Sequence, residues 1–377
     1  MRTVAAPKMD PEANIQAVTA QTSGILGRQI AARLDRITLE KVAEMGFANA
    51  RENAPLIAEG KSIVALQDAP IAESRDALVI AAGPSVHRHD FVKLIKESGF
   101  NGAILATDSA MSLCLRNGIV PHLVVTLDPH AERIVRWFGD AGLNEGALAR
   151  DDYFARQDMD PKFGEDQLRL NRELMYLVNE NGPRIRIAVA SSASKAVVQR
   201  IVESGMDAYW WNPMYDDYDI EESLTRKIHT LNGLPCVNAG GNVGSACWVF
   251  AHAVLGMKRV GLVGMDFGYY SDTPYIRTQY YKEIVALVGP DRLDEVFVRI
   301  LNPHVGLEFY TDPAYLWYRD AFLEMAQRVT CETYNCTGGG VLFGPGVHWM
   351  ALPEFLSMCR VWPAHTTEAG DGQDSIY

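Results

Sequence analysis

The stretch ALVIAAGPSVHRHD, residues 77–90, runs six small or apolar residues straight into Gly83-Pro84-Ser85, with a helical pattern after them. An apolar run of that length, ended by a glycine turn and followed by a helix, is a buried strand entering a βα unit. The same alternation recurs along the chain. Strands are predicted at 103–107, 123–127, 185–190, 208–211 and 260–264, and helices at 91–98, 110–117, from Glu132, at 195–203 and at 243–255. Such alternation predicts an α/β fold, Rossmann-like, with a mostly parallel sheet and helices on both faces.

The flanks read differently. Residues 1–75 are expected to form an N-terminal helical extension, with KSIVALQ (61–67) a candidate short strand. The catalytic domain is expected over 76–362, with 139–183 an insertion or helical lid, and helices are expected near 279–301 and 314–329. The polar tail 363–377 is expected to be disordered. With 35 Lys+Arg against 47 Asp+Glu the formal charge is −12, which argues against general nucleic-acid binding and adhesion to anionic membranes. No apolar stretch is long enough to span a bilayer, and a cytoplasmic protein is expected. The six cysteines form no CxxC pair, so buried thiols are expected in preference to a metal site built from Cys331, Cys336 and His348. No residue is assigned as a metal ligand.

In a parallel sheet, ligands bind beyond the carboxyl ends of the strands. Here those ends carry Gly83-Pro84-Ser85, Asp108-Ser109, Asp128-Pro129-His130, Ser191-Ser192-Ala193-Ser194 and Met265-Asp266. Gly83 offers close approach to backbone, and Ser85 a cap and a hydroxyl, so a phosphate is expected above this turn. A second glycine turn, Asn238-Ala239-Gly240-Gly241-Asn242, opens an apolar helix and suits a phosphate or sugar; it is neither a P-loop nor a GxGxxG fingerprint. A third, Asn335-Cys336-Thr337-Gly338-Gly339-Gly340, pairs glycines with side chains able to read a polar ligand. Lys195 is a candidate phosphate partner, and the candidate proton acceptors are Asp128, His130 and Asp266. Phe267, Tyr269, Tyr270 and Tyr275 could stack on a sugar or base. Asp217-Tyr218-Asp219 has the DxD spacing of metal-dependent glycosyltransferases but sits in an acidic run that reads as an exposed loop.

Four stretches taken together, AAGPSV (81–86), ATDSAMSLCLRNGIVPHLVVTLDPH (106–130), NAGGNVGSACWVFAHAVLGMKRVGLVGMDFGYYSD (238–272) and TYNCTGGGVLFG (333–344), resemble the motility-associated factor glycosyltransferases and the related 6-hydroxymethylpterin diphosphokinase-like domain. The resemblance covers roughly residues 75–360. It implies a core similar to that of bacterial sialyltransferases that use a CMP-sugar, with Gly83, Pro84 and Ser85 under the nucleotide, Asp108 and Asp128 lining the crevice, and Asn242 with its glycines facing the donor. It also implies one of two chemistries: transfer of a nonulosonic sugar from a CMP donor without an assigned cofactor, or magnesium-dependent transfer of pyrophosphate from ATP to a pterin. A non-catalytic nucleotide-binding protein is a third reading. The chain is shorter than the larger motility proteins, so flagellin is not assumed as the acceptor. The expected partner is a small-molecule nucleotide or nucleotide-sugar, with acceptor and any homo-oligomer left open.

Overall fold

The computed structural model describes residues 25–150 and 167–360, and the side chains from Val42 onward other than those of 132, 133, 149, 150 and 360. Its centre is a parallel sheet. Five strands, β2 (Asp76–Ile80), β3 (Ala103–Thr107), β4 (Leu123–Thr126), β5 (Arg186–Ala190) and β6 (Asp207–Pro213), follow one another outward from β2. A short β1 (Lys61–Ser62) pairs with Tyr209 and Trp210 at that edge, and β7 (Cys236–Val237) pairs with the end of β6. The chain then returns to the other side of β2 with β8 (Arg259–Val263). A hairpin region carries β9 (Tyr269–Tyr270), β10 (Val298–Asn302) and β11 (Leu307–Thr311), an antiparallel sheet of its own. Last come β12 (Glu332–Asn335) and β13 (His348–Trp349), parallel beside β8. The Rossmann-like class expected from the sequence is the observed one.

The strands are buried on both faces, which is why they read as unbroken apolar runs. In β2, Ala77 and Val79 join one core layer and Leu78 and Ile80 the opposite one, as the period of two requires. Helices close each crossover with local signals. Thr107 caps the helix Asp108–Arg116 by accepting from Ala110 N, Ser194 caps Lys195–Glu203 from Val197 N, and Asp90 caps Phe91–Ser98 from Lys93 N. Truncating a core residue such as Leu78 to Ala would cost about 2–5 kcal/mol, because both faces are packed.

The candidate strand 61–67 is extended only at Lys61 and Ser62, which join the edge of the main sheet; a 3-10 turn follows over Ile63–Leu66, and both ends of that turn are buried. Within 139–183 the helix Gln167–Asn181 buries Leu174 and Val178 on a face of the sheet, and none of its residues lines the cavity described below; residues 151–166 lie outside the described residues. The stretch 279–301, expected to be helical, is corrected: it is not one helix. Tyr281–Val288 is helical, but Val298–Asn302 alternates buried and exposed, the signature of a strand with one covered face. The tail 363–377 lies outside the described residues.

Candidate functional site

Strand order reverses between β2 and β8, whose carboxyl ends carry Gly83 and Gly264. A cavity of about 790 Å³ opens there, the size of a small-molecule site. Its floor comes from strand ends and the turns after them: Gly83-Pro84, Asp108-Ser109, Asp128-Pro129, Asp216-Asp217, Asn238 to Gly244, and Gly264 to Tyr269. A wall comes from the later chain: Arg277, Gln279, Tyr280, Tyr315, Trp317, Tyr318, Glu324 and Arg328. Val42 of the long first helix, Ile25–Glu59, completes it.

Gly83 answers to packing. Its φ is −65°, open to any residue. A Cβ there would strike the Asp266 carboxylate and lie 2.5 Å from the Gly264 carbonyl oxygen. Ser85 donates to that carboxylate through its Oγ (2.8 Å) and its N–H (3.2 Å). The space the sequence assigns to a phosphate thus holds a buried carboxylate. Two unit charges 4 Å apart repel by about 4 kcal/mol at an effective dielectric of about 20, so this is a poor seat for a bare phosphate. Nor does Ser85 open a long helix: Pro84–His87 is a single 3-10 turn, and the helix begins at Phe91.

Asp108 stands at the end of β3, buried, on the cavity. Burial pushes its carboxyl up to about 7; the hydrogen bond it accepts from Ser109 N (2.7 Å) works against this, and the Asp128 charge works with it. Thr107 Oγ1 and Ser109 Oγ lie 3.0 Å apart beside it. Asp128, at the end of β4, is exposed to the cavity, and its Oδ1 meets His130 Nδ1 at 2.6 Å and His130 N at 2.8 Å. His130 itself is not among the cavity-lining residues; it reaches the site through Asp128.

The second glycine turn lies on the cavity, and several of its polar groups bond one another. Gly240 N donates to Asn238 Oδ1 (3.0 Å), and Asn242 receives Ser245 N (2.9 Å) while donating to Ser245 Oγ (2.8 Å). Asn242 lines the cavity and caps the helix Val243–Val249. The third turn is structural. Asn335 donates to Leu342 O (2.6 Å) and receives Thr337 N, and Thr337 Oγ1 receives Met265 N. Gly340, at φ +73°, lets the turn lie on Asp266, whose Cα would be 2.5 Å from an added Cβ. None of Asn335, Thr337 or Gly338 lines the cavity. Ser191 and Ser192 are buried behind it, and Lys195 is exposed elsewhere, the first residue of its helix. All six were sequence candidates; the chain brings none of them to the cavity surface.

The acidic run divides. Asp216 caps the helix Leu224–Asn232, accepting from Leu224 N (2.7 Å), Thr225 N (3.0 Å) and Ser223 Oγ (2.8 Å). Partial burial would raise its pKa, but these bonds hold it below the usual carboxylate range. Asp217 lines the cavity and accepts Asp219 N in a local turn, while Asp219 is exposed outside it. Among the described residues, no three His, Cys, Asp or Glu side chains are grouped to hold a metal. Five of the six cysteines are buried free thiols and Cys236 is half-buried.

Sequence reasoning missed the wall. Of the aromatics it named, Phe267 and Tyr269 line the cavity and Tyr270 and Tyr275 do not. The exposed ring is Trp317, 43% accessible, in edge contact with Tyr318. Tyr318 and Tyr280 share a hydroxyl contact of 2.9 Å, and Tyr315 Oη donates to Gln279 Oε1 (2.7 Å). The first helix was expected, but its contacts to the strand-end loops were not. Asn49 Nδ2 donates to Pro129 O (3.0 Å) and Ser192 O (2.8 Å), and Asn53 Nδ2 to Ser191 O (2.9 Å) and Ala193 O (2.7 Å). Two asparagines one turn apart therefore tie the loops after β4 and β5 together. The spacing Asn-x-x-x-Asn on a helix was the available signal.

The model of the 6-hydroxymethylpterin diphosphokinase MptE-like family matches residues 48–138, the segment from the asparagine clamp through β2, β3 and β4 with Asp108 and Asp128. The structure of the MAf glycosyltransferase from Magnetospirillum magneticum AMB-1 is similar in fold, with a TM-score of 0.50 and 16% identity over 85% of this chain. This chain spans 41% of that protein's length. No curated protein matches. The chain resembles the family that its motifs suggested. No helix among the described residues is long and apolar enough to cross a membrane.

Proposed function

We propose that the protein is a transferase that uses a nucleotide-activated sugar, with a CMP-linked nonulosonic sugar as the donor class. One observation carries this reading: a buried carboxyl, Asp108, poised at about 7 on the floor of a cavity at the switch point of a Rossmann-like sheet. A group titrating there serves as the proton acceptor for an attacking hydroxyl at neutral pH. Asp128, oriented by His130 and by the Asn49 clamp on Pro129, stands ready to hold that hydroxyl or to take the proton onward. The fold of the MAf glycosyltransferase agrees with this reading.

The match at residues 48–138 favours a second reading, pyrophosphoryl transfer from ATP, because it carries both carboxylates. Magnesium is held by one or two carboxylates plus substrate phosphates, and Asp108 with Asp128 fits that donor set. The metal would neutralise the phosphates, and the chain's own work would be to fix the two carboxylates. The two readings part in one experiment. Release of CMP from CMP-N-acetylneuraminate in EDTA, abolished in Asp108→Asn, supports the first. Hydrolysis or transfer of ATP only with magnesium, and no turnover of the CMP-sugar, replaces it with the second.

A further inference from the structure

We infer that the wall is the nucleotide's main holder: its phosphate rests on Arg277, its base on Trp317 and Tyr318. This rests on the nucleotide-sugar reading above and adds where the nucleotide lies.

Three observations converge. The first concerns donors. A glycine turn cradles phosphate through free backbone N–H groups. Here Gly83 N donates to Gly264 O (2.9 Å), Ser85 N to Asp266 Oδ1 (3.2 Å), Gly240 N to Asn238 Oδ1 (3.0 Å), Asn242 N to Ala239 O (3.3 Å) and Ser245 N to Asn242 Oδ1 (2.9 Å). Those five groups are already engaged within the protein, which leaves Gly241, Val243 and Gly244 as the second turn's N–H groups without an acceptor among the described residues.

The second concerns charge. Asp108, Asp128, Asp217 and Asp266 line the floor. The cavity's cations, Arg277 and Arg328, both belong to the wall. Arg328 is ion-paired with Glu324. Arg277 donates its backbone N–H to Pro274 O (2.9 Å), and its guanidinium has no hydrogen bond or ion pair among the described residues. A planar guanidinium with five donors open is the group that binds phosphate in two-pronged fashion.

The third concerns surface. A tryptophan left 43% accessible at the edge of a cavity presents a stacking face. A second aromatic, Tyr318, braces it, and Gly241 lies against both rings: a Cβ there would sit 2.7 Å from Trp317 Cζ3 and Tyr318 Cε1. Stacking on such a face tolerates any base, while the arginine requires the phosphate. With the leaving phosphate on the wall, the sugar extends to the floor, where Asp108 meets the acceptor hydroxyl. In the transfer, the acceptor oxygen bonds to the sugar's anomeric carbon, the bond from that carbon to the phosphate oxygen breaks with its electrons leaving on CMP, and the hydroxyl proton passes to Asp108.

The test is calorimetric titration of CMP and cytidine in EDTA, on the full chain and on Arg277→Gln and Trp317→Ala. Both side chains are exposed at the cavity, so the variants are expected to fold. Loss of a charge-assisted bond predicts CMP binding weakened about tenfold or more in Arg277→Gln, with cytidine unchanged. Trp317→Ala should weaken both ligands. The inference is overturned if Arg277→Gln binds CMP as the parent does, or if CMP binds only with magnesium and Asp108→Asn abolishes it. Failure of the parent chain to bind CMP under any condition, with ATP and magnesium bound instead, overturns the nucleotide-sugar reading itself. The two failures are therefore distinct.

Discussion

The floor and the wall of the cavity are built by opposite means. The floor is made of strand ends, where a buried parallel sheet stops and its turns begin, and it is acidic, self-bonded and tightly packed around Asp266. The wall is made by a hairpin region and the helix Pro313–Ala326, which bring arginines and half-exposed aromatics from far along the chain. A rigid floor with a perturbed carboxyl suits proton transfer, while a wall with an open cation and an accessible ring suits binding. The difference teaches that glycines at strand ends can serve the protein's own packing, with ligand recognition left to side chains elsewhere.

The division of labour is broken most severely at Asp108. Replacing it with Asn should lower turnover of a CMP-sugar about 10²–10⁴-fold with little change in CMP affinity, by steady-state kinetics beside calorimetry. A parallel loss of CMP affinity would move binding onto the floor. In the parent protein, kcat/KM should rise with pH through about 7 as Asp108 gives up its proton.

Stability should run the other way. Burial raises both Asp108 and Asp312 to about 7, from an ordinary value of 3.8. Between those values the folded protein keeps protons that the unfolded chain has released, so stability is fully present at the acid end of that window and falls as pH rises through about 7. Urea midpoints at pH 5 and 8 should show this decline. Asp312→Asn, which retains the oxygen that accepts Tyr315 N, should flatten it.

Gly83→Ala sharpens the same comparison. If the glycine serves packing against Asp266 and Gly264, alanine costs about 1–3 kcal/mol of stability, read in the denaturant midpoint. If it serves a phosphate, stability stays and CMP binding is lost. Asn53→Ala removes two hydrogen bonds to buried carbonyls and should cost about 1–3 kcal/mol, with CMP affinity kept. The smallest effect belongs to Lys195→Ala: within about 0.5 kcal/mol in stability and no change in CMP affinity, since its side chain is exposed away from the cavity.

Much of the floor was legible beforehand. Asp108, Asp128 and Asp266 follow apolar runs, and in a parallel sheet every strand end faces the same edge, so naming the strands named the crevice. The turns at 238–242 and 335–340 show where such reading stops. Both are glycine-rich with flanking amides, yet in one Asn242 caps a helix, and in the other Asn335 and Thr337 brace the end of β8. A sequence displays donors and acceptors but not their partners. Lys195 follows a strand end, yet as the exposed first residue of its helix it is not among the residues that line the cavity.

The amino-acid sequence alone determined the parallel sheet, the helices that cover it and the edge where the acids gather, because period and apolar length are local properties of the chain. Only the tertiary structure decided the rest. The return of the chain to β8 beside β2 creates the switch point. The clamp of Asn49 and Asn53 and the wall of Arg277, Trp317 and Tyr318 join segments far apart in the chain, and no local pattern records which distant carbonyl or carboxylate a side chain will meet.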